Sequence, residues 1–453
     1  MTDRFIPPYP PRGAGPVAVW RGFFGERART AVYGWSKAAF EIDYMQRRVM
    51  GYNVHIPLTP DAVQHVLLDA AAKYEKPTIV KSLLGPVIGR GLLTSDGPLW
   101  RDQRRIVSAS FVPAAVDSQI PTFADAARAI MDRWQSGTLD MAVQSTAVTM
   151  RIIADSLFGG DPRLTNDAAS EHITAALEAF GGRRIQALLR LPAFALTPTA
   201  RAGVRGQNYL RQTLAQVVGD RFHDGQEGDD FLGKLVAALR AKFDRAEAEA
   251  LAIDNAATFY LAGHETTANA MTWALFLLSE QPELQARIAQ EARAALADGT
   301  RDPALPERLP LLRQALDETL RLYPSAPRLD RQAVANDEID GHPVAPGDIV
   351  SIWPWIIHRH TKLWDDPDAF DIGRFAPSRK RERHRFQYLP FGAGARVCVG
   401  ARFATYEALT ILAHWLSVWE FKPIAGRVVR TSGMVTLRPS NGLPLALNKR
   451  YCE

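Results

Sequence analysis

The segment Glu247–Ser279 constrains the fold more strongly than any other stretch of this 453-residue chain. The segment contains no proline, the next one in the chain being Pro282, and its apolar residues recur at the spacing of a helix. This pattern predicts one of the longest helices of the protein. The sequence AGHETT, positions 262–267, places polar residues in the middle of that helix.

Two later segments also have helical patterns. The sequence LLRQALDETLRLYP predicts a helix that ends before Pro324, and GARFATYEALTILAHWLSVWEF predicts a helix that begins just after Cys398. The polar stretch Phe222–Asp230 is interpreted as a loop between helices. The chain is therefore expected to be mainly α.

Strand patterns are fewer. The sequence EIDGHPVAPGDIVSIW contains the turn pairs Asp340-Gly341 and Pro346-Gly347, followed by the apolar run Ile349–Trp353, and predicts a hairpin. No repeat, low-complexity tract or linker divides the chain. We therefore expect a single large helical domain over residues 1–453 with a small β-sheet region, preceded at residues 1–20 by a proline-rich N-terminal arm.

Composition excludes several classes of protein. Hydrophobic residues make up 47% of the chain and charged residues 23%, a balance typical of globular proteins. The first eleven residues contain four prolines and no apolar run, so we expect neither a signal peptide nor a membrane anchor, and a cytoplasmic protein. The formal net charge of +5 is too mild to indicate a nucleic-acid partner.

The chain has two cysteines, Cys398 and Cys452. Two cysteines exclude a disulfide framework as the main source of stability, and they exclude a four-cysteine zinc site. Cys398 stands in the glycine-rich sequence FGAGARVCVG, immediately before a predicted helix. One interpretation of such a cysteine is a small buried apolar residue.

The residues around Cys398 favour a second interpretation, a ligand to a metal in a flat cofactor. The N-terminus of a helix favours a thiolate, which is a strong soft ligand, and iron favours it further. Glycines at positions 392, 394 and 400 would let the backbone bend tightly and approach the cofactor closely. Arg396 is placed to meet an anionic group of that cofactor.

The sequence FGAGARVCVG resembles the cysteine-loop signature of the cytochrome P450 family, Phe-Gly-x-Gly-x-Arg-x-Cys-x-Gly, at every fixed position. The resemblance implies the cytochrome P450 fold of a soluble, bacterial-type protein. It also implies that Cys398 is the proximal thiolate ligand of haem b and that Phe391 packs near the sulfur. By motif order the resemblance extends from about Gly89 to the C-terminus.

AGHETT is similar to the oxygen-activation motif in the long central helix of that family. Gly263 would remove a side chain where dioxygen must fit, Thr266 can bond to a backbone carbonyl or to bound oxygen or water, and Glu265 can relay protons. The alternative is a polar patch on a solvated helix face. The apolar sequences TFYL before the motif and MTWALFLL after it leave little room for such a face.

The pair Glu318 and Arg321 resembles the Glu-x-x-Arg pair of the family. Three-residue spacing places both side chains on one helix face, where they can form an ion pair. Arg374 is expected to complete the network, although it stands in Ile-Gly-Arg-Phe instead of the usual Pro-Glu-Arg-Phe. The resemblance gives this network a role in holding the haem loop.

Four residues resemble the family's contacts to the haem propionates. Trp100 and Arg104, one turn apart, match its haem-contacting helix, and Arg331 matches the arginine of a following strand. With Arg396 they would suit two carboxylates. Arg328 competes with Arg331 for that position, and for each arginine taken alone a surface cation is an equal alternative.

What the resemblance implies for function is a haem-thiolate monooxygenase that inserts one oxygen atom of O2 into a C–H bond. About fifty residues follow Cys398, too few for a fused redox module. Electrons from NAD(P)H are therefore expected through a separate ferredoxin or flavodoxin with its reductase. A peroxide-driven peroxygenase and a non-catalytic haem-thiolate sensor are the alternatives. The first usually lacks an acid and threonine pair such as Glu265 and Thr266, and the second does not need one.

The basic run RKRERHR, Arg379 to Arg385, is interpreted as a dock for that acidic partner, with a solvated loop as the alternative. The segments matched to the substrate pocket are largely apolar and predict a hydrophobic small-molecule substrate. They are PTIVKSLLGPVIG, LEAFGGRRIQALL, PSAPRL and the turn Met434–Thr436. Arg183, Arg184 and Arg328 are candidates for binding a substrate carboxylate, and the protein is expected to be a monomer.

Overall fold

The computed structural model describes residues 4–15, 30–49, 51–165, 172, 198–223, 228–433 and 435–450. Several residues named above lie outside the described residues: the pocket segment Leu177–Leu189 with Arg183 and Arg184, Met434, Cys452, and parts of the N-terminal arm and of the loop Phe222–Asp230.

Helices dominate the described residues. The α-helices are α1 Pro60–Gln64, α2 Thr78–Ile88, α3 Gly97–Ser108, α4 Pro113–Asp117, α5 Ile120–Met131, α6 Met141–Leu157, α7 Pro198–His223, α8 Phe231–Arg240, α9 Arg245–Ser279, α10 Pro282–Ala297, α11 Pro310–Leu322, α12 Pro354–Ile357, α13 Pro377–Lys380 and α14 Ala401–Val418.

The strands are short. They are β1 Tyr44–Val49, β2 Tyr52–Pro57, β3 Tyr74–Glu75, β4 Gly137–Asp140, β5 Leu329–Ala333, β6 Asp337–Ile339, β7 His342–Val344, β8 Ile349–Ile352, β9 Trp419–Pro423, β10 Thr431–Ser432, β11 Arg438–Pro439 and β12 Pro444–Lys449. They form a five-stranded sheet in the order β1-β2-β8-β5-β3, a three-stranded sheet β4-β12-β9 and two two-stranded ribbons.

Proline marks where many of these helices begin. Seven of the described α-helices have proline as their first residue: α1, α4, α7, α10, α11, α12 and α13. Proline is favourable there because the first backbone N–H of a helix has no partner inside the helix, and the fixed φ of proline is already helical. At α1 the hydroxyl of Thr59 adds a cap by accepting a hydrogen bond from the backbone N–H of Ala62 at 3.2 Å.

The described residues form two compact units. The first comprises Met1–Tyr74, Asp117–Val148 and Thr266–Glu453, and the second comprises Glu75–Val116 and Thr149–Glu265. The division falls inside helices α6 and α9. The single domain expected over residues 1–453 stays a prediction.

The fold confirms the mainly α class and most of the predicted elements. Helix α9 spans the long predicted run, and α11 ends at Leu322, two residues before Pro324. The residues Trp419–Phe421 correct the sequence analysis, since they belong to β9, which pairs with β12, instead of extending the helix. Pairing across the chain outweighs the local helical pattern there.

The predicted hairpin forms at the first of its two turns. Strands β6 and β7 pair antiparallel, and Asp340 and Gly341 between them have φ of 49° and 79°. Two consecutive positive φ values are the geometry of a tight hairpin turn, which Asp-Gly favours. The following strand β8 does not extend the hairpin. It joins the five-stranded sheet, antiparallel to β5 and parallel to β2.

Candidate active site

The loop that carries Cys398 is folded back on itself by its own backbone. The N–H of Cys398 donates to the carbonyl of Phe391 at 2.9 Å, and the N–H of Val397 donates to the carbonyl of Gly394 at 3.1 Å. Helix α14 begins at Ala401, and the thiol of Cys398 is exposed. Cys398 thus stands exposed just before the N-terminus of a helix, and its role as a haem ligand stays a prediction.

Two of the three glycines in this loop have backbone conformations that favour glycine. Gly392 and Gly394 both have φ of 69°. A Cβ atom on Gly394 would stand 1.8 Å from the carbonyl oxygen of Leu67, so only glycine fits. Gly400 differs from the expectation, because it caps α14 with φ of −88°, which any residue can adopt.

A buried histidine ties the approach to this loop to helix α11. The N–H of Leu389 donates to Nε2 of His358 at 2.7 Å, while Nδ1 of the same ring stands 3.2 Å from the carbonyl oxygen of Arg321. Burial, followed by the charges of Arg321 and Arg359, holds the pKa of His358 well below its usual range. The ring is therefore neutral at neutral pH, with one nitrogen accepting and the other donating.

The Glu-x-x-Arg pair on α11 is completely buried. Arg321 donates to the carboxylate of Glu318 through two nitrogens, at 2.6 and 2.8 Å, and both side chains are 0% exposed. The remaining donors of Arg321 meet the backbone carbonyls of His358, Pro367 and Ala369 at 2.6 to 2.9 Å. The pair therefore differs from a surface ion pair, whose contribution is small.

Arg374 joins this network as the sequence predicts. Its Nε lies 3.4 Å from the carboxylate of Glu318, and its Nη2 donates to the carbonyl of Asp366 at 2.8 Å. The departure from the usual family sequence is accommodated by a 3₁₀ turn over Ile372–Phe375, capped by the carboxylate of Asp371. The network and His358 together fix the backbone that leads into the cysteine loop.

Helix α9 is buried along most of its length except at AGHETT. From Asp254 to Ser279 the residues that are not buried are Ala262, Gly263, Glu265 and Thr266. His264, between them, points inward, and its Nδ1 lies 2.6 Å from the carbonyl oxygen of Tyr260. The polar patch therefore occupies an accessible stretch of an otherwise buried helix.

The comparisons with known proteins agree with this geometry. The family model described as Cytochrome P450 matches residues 42–443. The chain belongs to the cytochrome P450 family. It is 32% identical over 404 residues to cyclooctatin synthase of Streptomyces melanosporofaciens, covering 87% of this chain and 86% of that protein.

Other relatives span similar shares of both sequences. Cyclooctat-9-en-7-ol 5-monooxygenase of the same organism is 29% identical, over 90% of this P450 and 87% of the relative. The crystal structure of the cytochrome P450DA heme domain has a TM-score of 0.77 and 24% sequence identity, and the match covers 90% of each chain. The family and its monooxygenase members make this P450 a haem-dependent monooxygenase.

The cysteine loop of this P450 fits the haem of the family. A thiolate is the axial ligand that favours O–O cleavage in cytochromes P450, and Cys398 is the exposed thiol of the described residues.

The two residues matched to the propionates in the second unit lie on α3. Trp100 and Arg104 are both partly exposed and stand one turn apart. Gln103 between them is buried, and its Oε1 accepts from Nδ2 of Asn255 on α9 at 2.6 Å. This bond ties α3 to α9 through Gln103.

The two propionate candidates of the first unit differ in exposure. Arg331 on β5 is 7% exposed, whereas Arg396 is partly exposed. The competing Arg328 forms an ion pair with Asp330 at 2.9 Å. Which of these arginines meets an anionic ligand stays a prediction.

The structure gives Gly263 a packing role that the sequence analysis did not find. A Cβ atom at this position would stand 2.5 Å from Cδ1 of Ile153 on α6. Close approach of two helices therefore explains the glycine, and its role in admitting dioxygen stays a prediction. The hydroxyl of Thr149 on α6 also donates to the carbonyl of His264 at 3.0 Å.

Sequence analysis missed His358, Ser325 and Glu407. The hydroxyl of Ser325 donates to the backbone carbonyl of Thr266 at 2.9 Å, but its sequence context, PSAPRL, was assigned to the pocket. Glu407 is the one acidic residue of the apolar helix α14, and an acidic residue alone among apolar ones could have indicated a buried carboxyl group. His358 gives no comparable signal, because a lone histidine has no pattern.

Within the described residues, no helix combines the length and apolar character needed to cross a bilayer. The same residues contain no group of three or more histidine, cysteine or acidic side chains arranged to hold a metal ion.

Proposed function

We propose that this P450 hydroxylates a hydrophobic small molecule in the cytoplasm, using electrons that pass from NAD(P)H through a separate acidic ferredoxin or flavodoxin. The observation that carries the proposal is the exposed thiol of Cys398, placed by a glycine turn at the start of α14. Cys398 would bind the haem iron, Phe391 would pack beside the sulfur, and Arg396, Trp100, Arg104 and Arg331 would hold the propionates.

The haem, when bound, supplies oxygen activation and C–H oxidation. The contribution of the chain is to bind the substrate and to deliver protons from defined side chains. Glu265 and Thr266 are the polar residues of the accessible stretch of α9, which suits a carboxylate that takes protons from water and a hydroxyl that passes them on. His264 cannot share this task, because burial lowers its pKa and its ring faces the carbonyl of Tyr260.

Replacing Thr266 by alanine tests the proton-delivery role. We expect the Thr266→Ala enzyme to consume NADH but to release hydrogen peroxide, with product per NADH reduced about tenfold or more, since positioned proton transfer contributes at least about a hundredfold in many enzymes. Product, peroxide and NADH are measured together. Thr266→Ser keeps the hydroxyl and should retain most of the coupling, whereas equal loss in both variants would contradict the role.

The substrate class follows from apolar segments and from the relatives. Cyclooctat-9-en-7-ol is named as the substrate of one relative, and it supplies a first probe for this chain. We expect it, or another apolar cyclic compound of a screening panel, to shift the haem absorption of the purified enzyme on binding. If polar and charged compounds alone give the shift, the hydrophobic class is wrong.

The basic run proposed as the partner dock divides into two parts. Arg379, Lys380, Arg381 and Arg385 are exposed. Arg383 is not, because it packs over the rings of Trp364 and Phe375 at 4.5 and 4.4 Å and donates to the carbonyl of Arg374 at 2.6 Å. The four exposed residues, here called the basic loop, are the candidates for electrostatic docking. Arg383 instead packs inside the protein.

Reversing charge in the basic loop tests the dock. We expect Lys380→Glu combined with Arg381→Glu to slow reduction by a ferredoxin or flavodoxin about tenfold at low salt, and much less at high salt, because screened charges no longer steer association. Reduction is followed by stopped-flow absorbance. The matched control is Arg287→Glu with Arg293→Glu, two exposed cations of α10. An equal effect of both pairs would mean that the net charge of the protein sets the rate, and that the basic loop is not a specific dock.

A further inference from the structure

The cysteine loop is in direct contact with a π-helical turn. The segment His65–Asp69 follows α1 and closes this turn by a hydrogen bond from the N–H of Ala70 to the carbonyl of His65 at 2.8 Å. The carbonyl oxygen of Leu67 would stand 1.8 Å from a Cβ atom on Gly394, so the two backbones meet with no side chain between them. Such turns are rare and occur often at functional sites. The position of the π turn therefore limits where the backbone of the cysteine loop can lie.

One carboxylate holds the chain on both sides of this turn. The carboxylate of Asp337 on β6 lies 2.9 Å from Nε2 of His65, the first residue of the turn. It also accepts hydrogen bonds from Nζ of Lys73 and from the hydroxyl of Tyr74, both at 2.6 Å, and these two residues follow the turn. The N–H of Val334, on the chain that leads to β6, donates to the carbonyl of Lys73 at 2.8 Å. Asp337 therefore joins the start of the π turn to the chain that leaves it.

The surroundings of Asp337 keep this carboxylate charged. Its side chain is 3% exposed. Burial by itself would raise the pKa of Asp337, but the hydrogen bonds from Lys73, Tyr74 and His65 lower that pKa to about 2. Hydrogen bonds to a charged group are stronger than those between neutral groups, and removing a buried acceptor leaves its donors without a partner. Loss of this one carboxylate would therefore release the π turn at both ends.

The hairpin of β6 and β7 that carries Asp337 is itself anchored at two other points. The carboxylate of Asp340, in the hairpin turn, accepts a hydrogen bond at 3.0 Å from the hydroxyl of Thr59, which caps α1. The ring of His342 on β7 stacks on Tyr44 of β1, with centroids 3.9 Å apart and planes inclined by 6°. Asp337 therefore acts on the π turn from a strand whose position other contacts already fix.

We propose that Asp337 is a positioning residue for the cysteine loop, which it restrains through the π turn. While its three hydrogen bonds hold the ends of the turn, the carbonyl of Leu67 stays against Gly394. Without them the segment is free to rewind into an ordinary helical turn, and the loop loses this support. The consequence for the haem rests on the proposed function, in which Cys398 is the ligand, but the link from Asp337 to the loop does not.

Hydrogen exchange of the purified holoenzyme tests this link. We expect Asp337→Ala to accelerate amide exchange at least about tenfold over residues 65–74, the equivalent of one hydrogen bond to a charged group, and about fivefold over residues 391–398. The matched control is Glu338→Ala, the exposed acidic neighbour on the same strand, which should leave both segments at the wild-type rate. Acceleration confined to residues 65–74, or spread equally over the whole chain, would overturn the proposal.

A milder variant keeps the proposal testable if Asp337→Ala does not fold. Tyr74→Phe removes one of the three donors and leaves the ring in place, so we expect a smaller acceleration in the same two segments. Asp337→Asn keeps the shape of the side chain and one acceptor oxygen, and its exchange rates should lie between those of the wild type and Asp337→Ala. Faster exchange of residues 65–74 in Tyr74→Phe, with residues 391–398 unchanged, would contradict the link.

The reduced, carbon-monoxide-bound spectrum gives a readout that a merely structural role would not change. We expect the red-shifted Soret band of Asp337→Ala to decay about fivefold faster than that of the wild type, because a less restrained loop lets the thiolate take up a proton or leave the iron. Glu338→Ala should decay at the wild-type rate. Equal decay in all three proteins, at equal haem content, would show that Asp337 does not position the ligand loop.

These readouts fail separately from the proposed function. If the haem-replete wild type lacks the red-shifted band, the ligand role of Cys398 is wrong, while the exchange rates still decide whether Asp337 restrains the loop. If the wild type has the band and exchange over residues 391–398 is the same in Asp337→Ala as in the wild type, the proposed function stands and the positioning role of Asp337 is withdrawn.

Discussion

Replacing Cys398 by serine is expected to abolish the strongly red-shifted Soret band of the reduced, carbon-monoxide-bound enzyme, together with all monooxygenase activity. The reason is chemical: a hydroxyl at the start of α14 does not supply the thiolate that donates electron density to iron. Activity should fall to the background of the assay, because no other described residue presents an exposed thiol. The measurement is the difference spectrum of the purified variant beside the wild type.

The second cysteine of the chain provides the control for this prediction. Cys452→Ser makes the same chemical change at the other cysteine, and it should leave the Soret band where the wild type has it. Haem content is measured for all three proteins, so that loss of the band is separated from loss of the cofactor. A wild-type spectrum without the band, in protein that is replete with haem, would remove Cys398 from the proposed ligand role.

Replacing Arg321 by methionine is expected to lower the free energy of unfolding by about 3 to 5 kcal/mol, because it leaves the carboxylate of Glu318 buried and uncompensated. The variant also removes the donors that reach the carbonyls of His358, Pro367 and Ala369. Since His358 ties α11 to Leu389, the cysteine loop should loosen as well, and we expect reduced haem retention. Urea unfolding and the ratio of haem to protein measure the two effects.

Arg313 on the same helix is the matched control. It pairs with Asp317 at 3.2 Å but is 39% exposed, so Arg313→Met should cost less than about 1 kcal/mol, the usual size of a surface ion pair. If Arg321→Met does not fold, Arg321→Lys keeps one charge and allows the comparison to be made. Equal losses of unfolding free energy at positions 313 and 321 would show that burial does not determine how much the pair of Glu318 and Arg321 stabilises the protein.

The prediction from sequence succeeded where chemistry is local. The cysteine loop was predicted from its run of glycines, arginine and cysteine just before a helix, and the structure shows φ of 69° at Gly392 and Gly394 and a helix that starts three residues after Cys398. The helix α9 was predicted because a proline-free periodic run has few alternatives. Glu318 and Arg321 share a helix face in any context, so their pairing needed no information from distant residues.

The errors came where distant segments decide. Trp419–Phe421 has a helical pattern but pairs with β12, and Arg383 belongs to a run of cations but packs over aromatic rings. At Gly263 the structure adds a packing contact with Ile153 that no local pattern shows, and the role of this glycine in admitting dioxygen stays a prediction. In each case the partner that decides lies outside the local run of residues, so that run by itself does not predict the contact.

The sequence by itself determined the family signature, the mainly α class and the choice of Cys398 as the proposed ligand of the haem iron. Those features depend on residue type and on spacing within a single turn or helix, which the chain carries with it. Only the tertiary structure decided that Glu318 and Arg321 are buried, that His358 ties α11 to the cysteine loop and that Glu407 is fully enclosed. Burial and long-range hydrogen bonds exist only once distant segments have packed, and they set the energy of each of these groups.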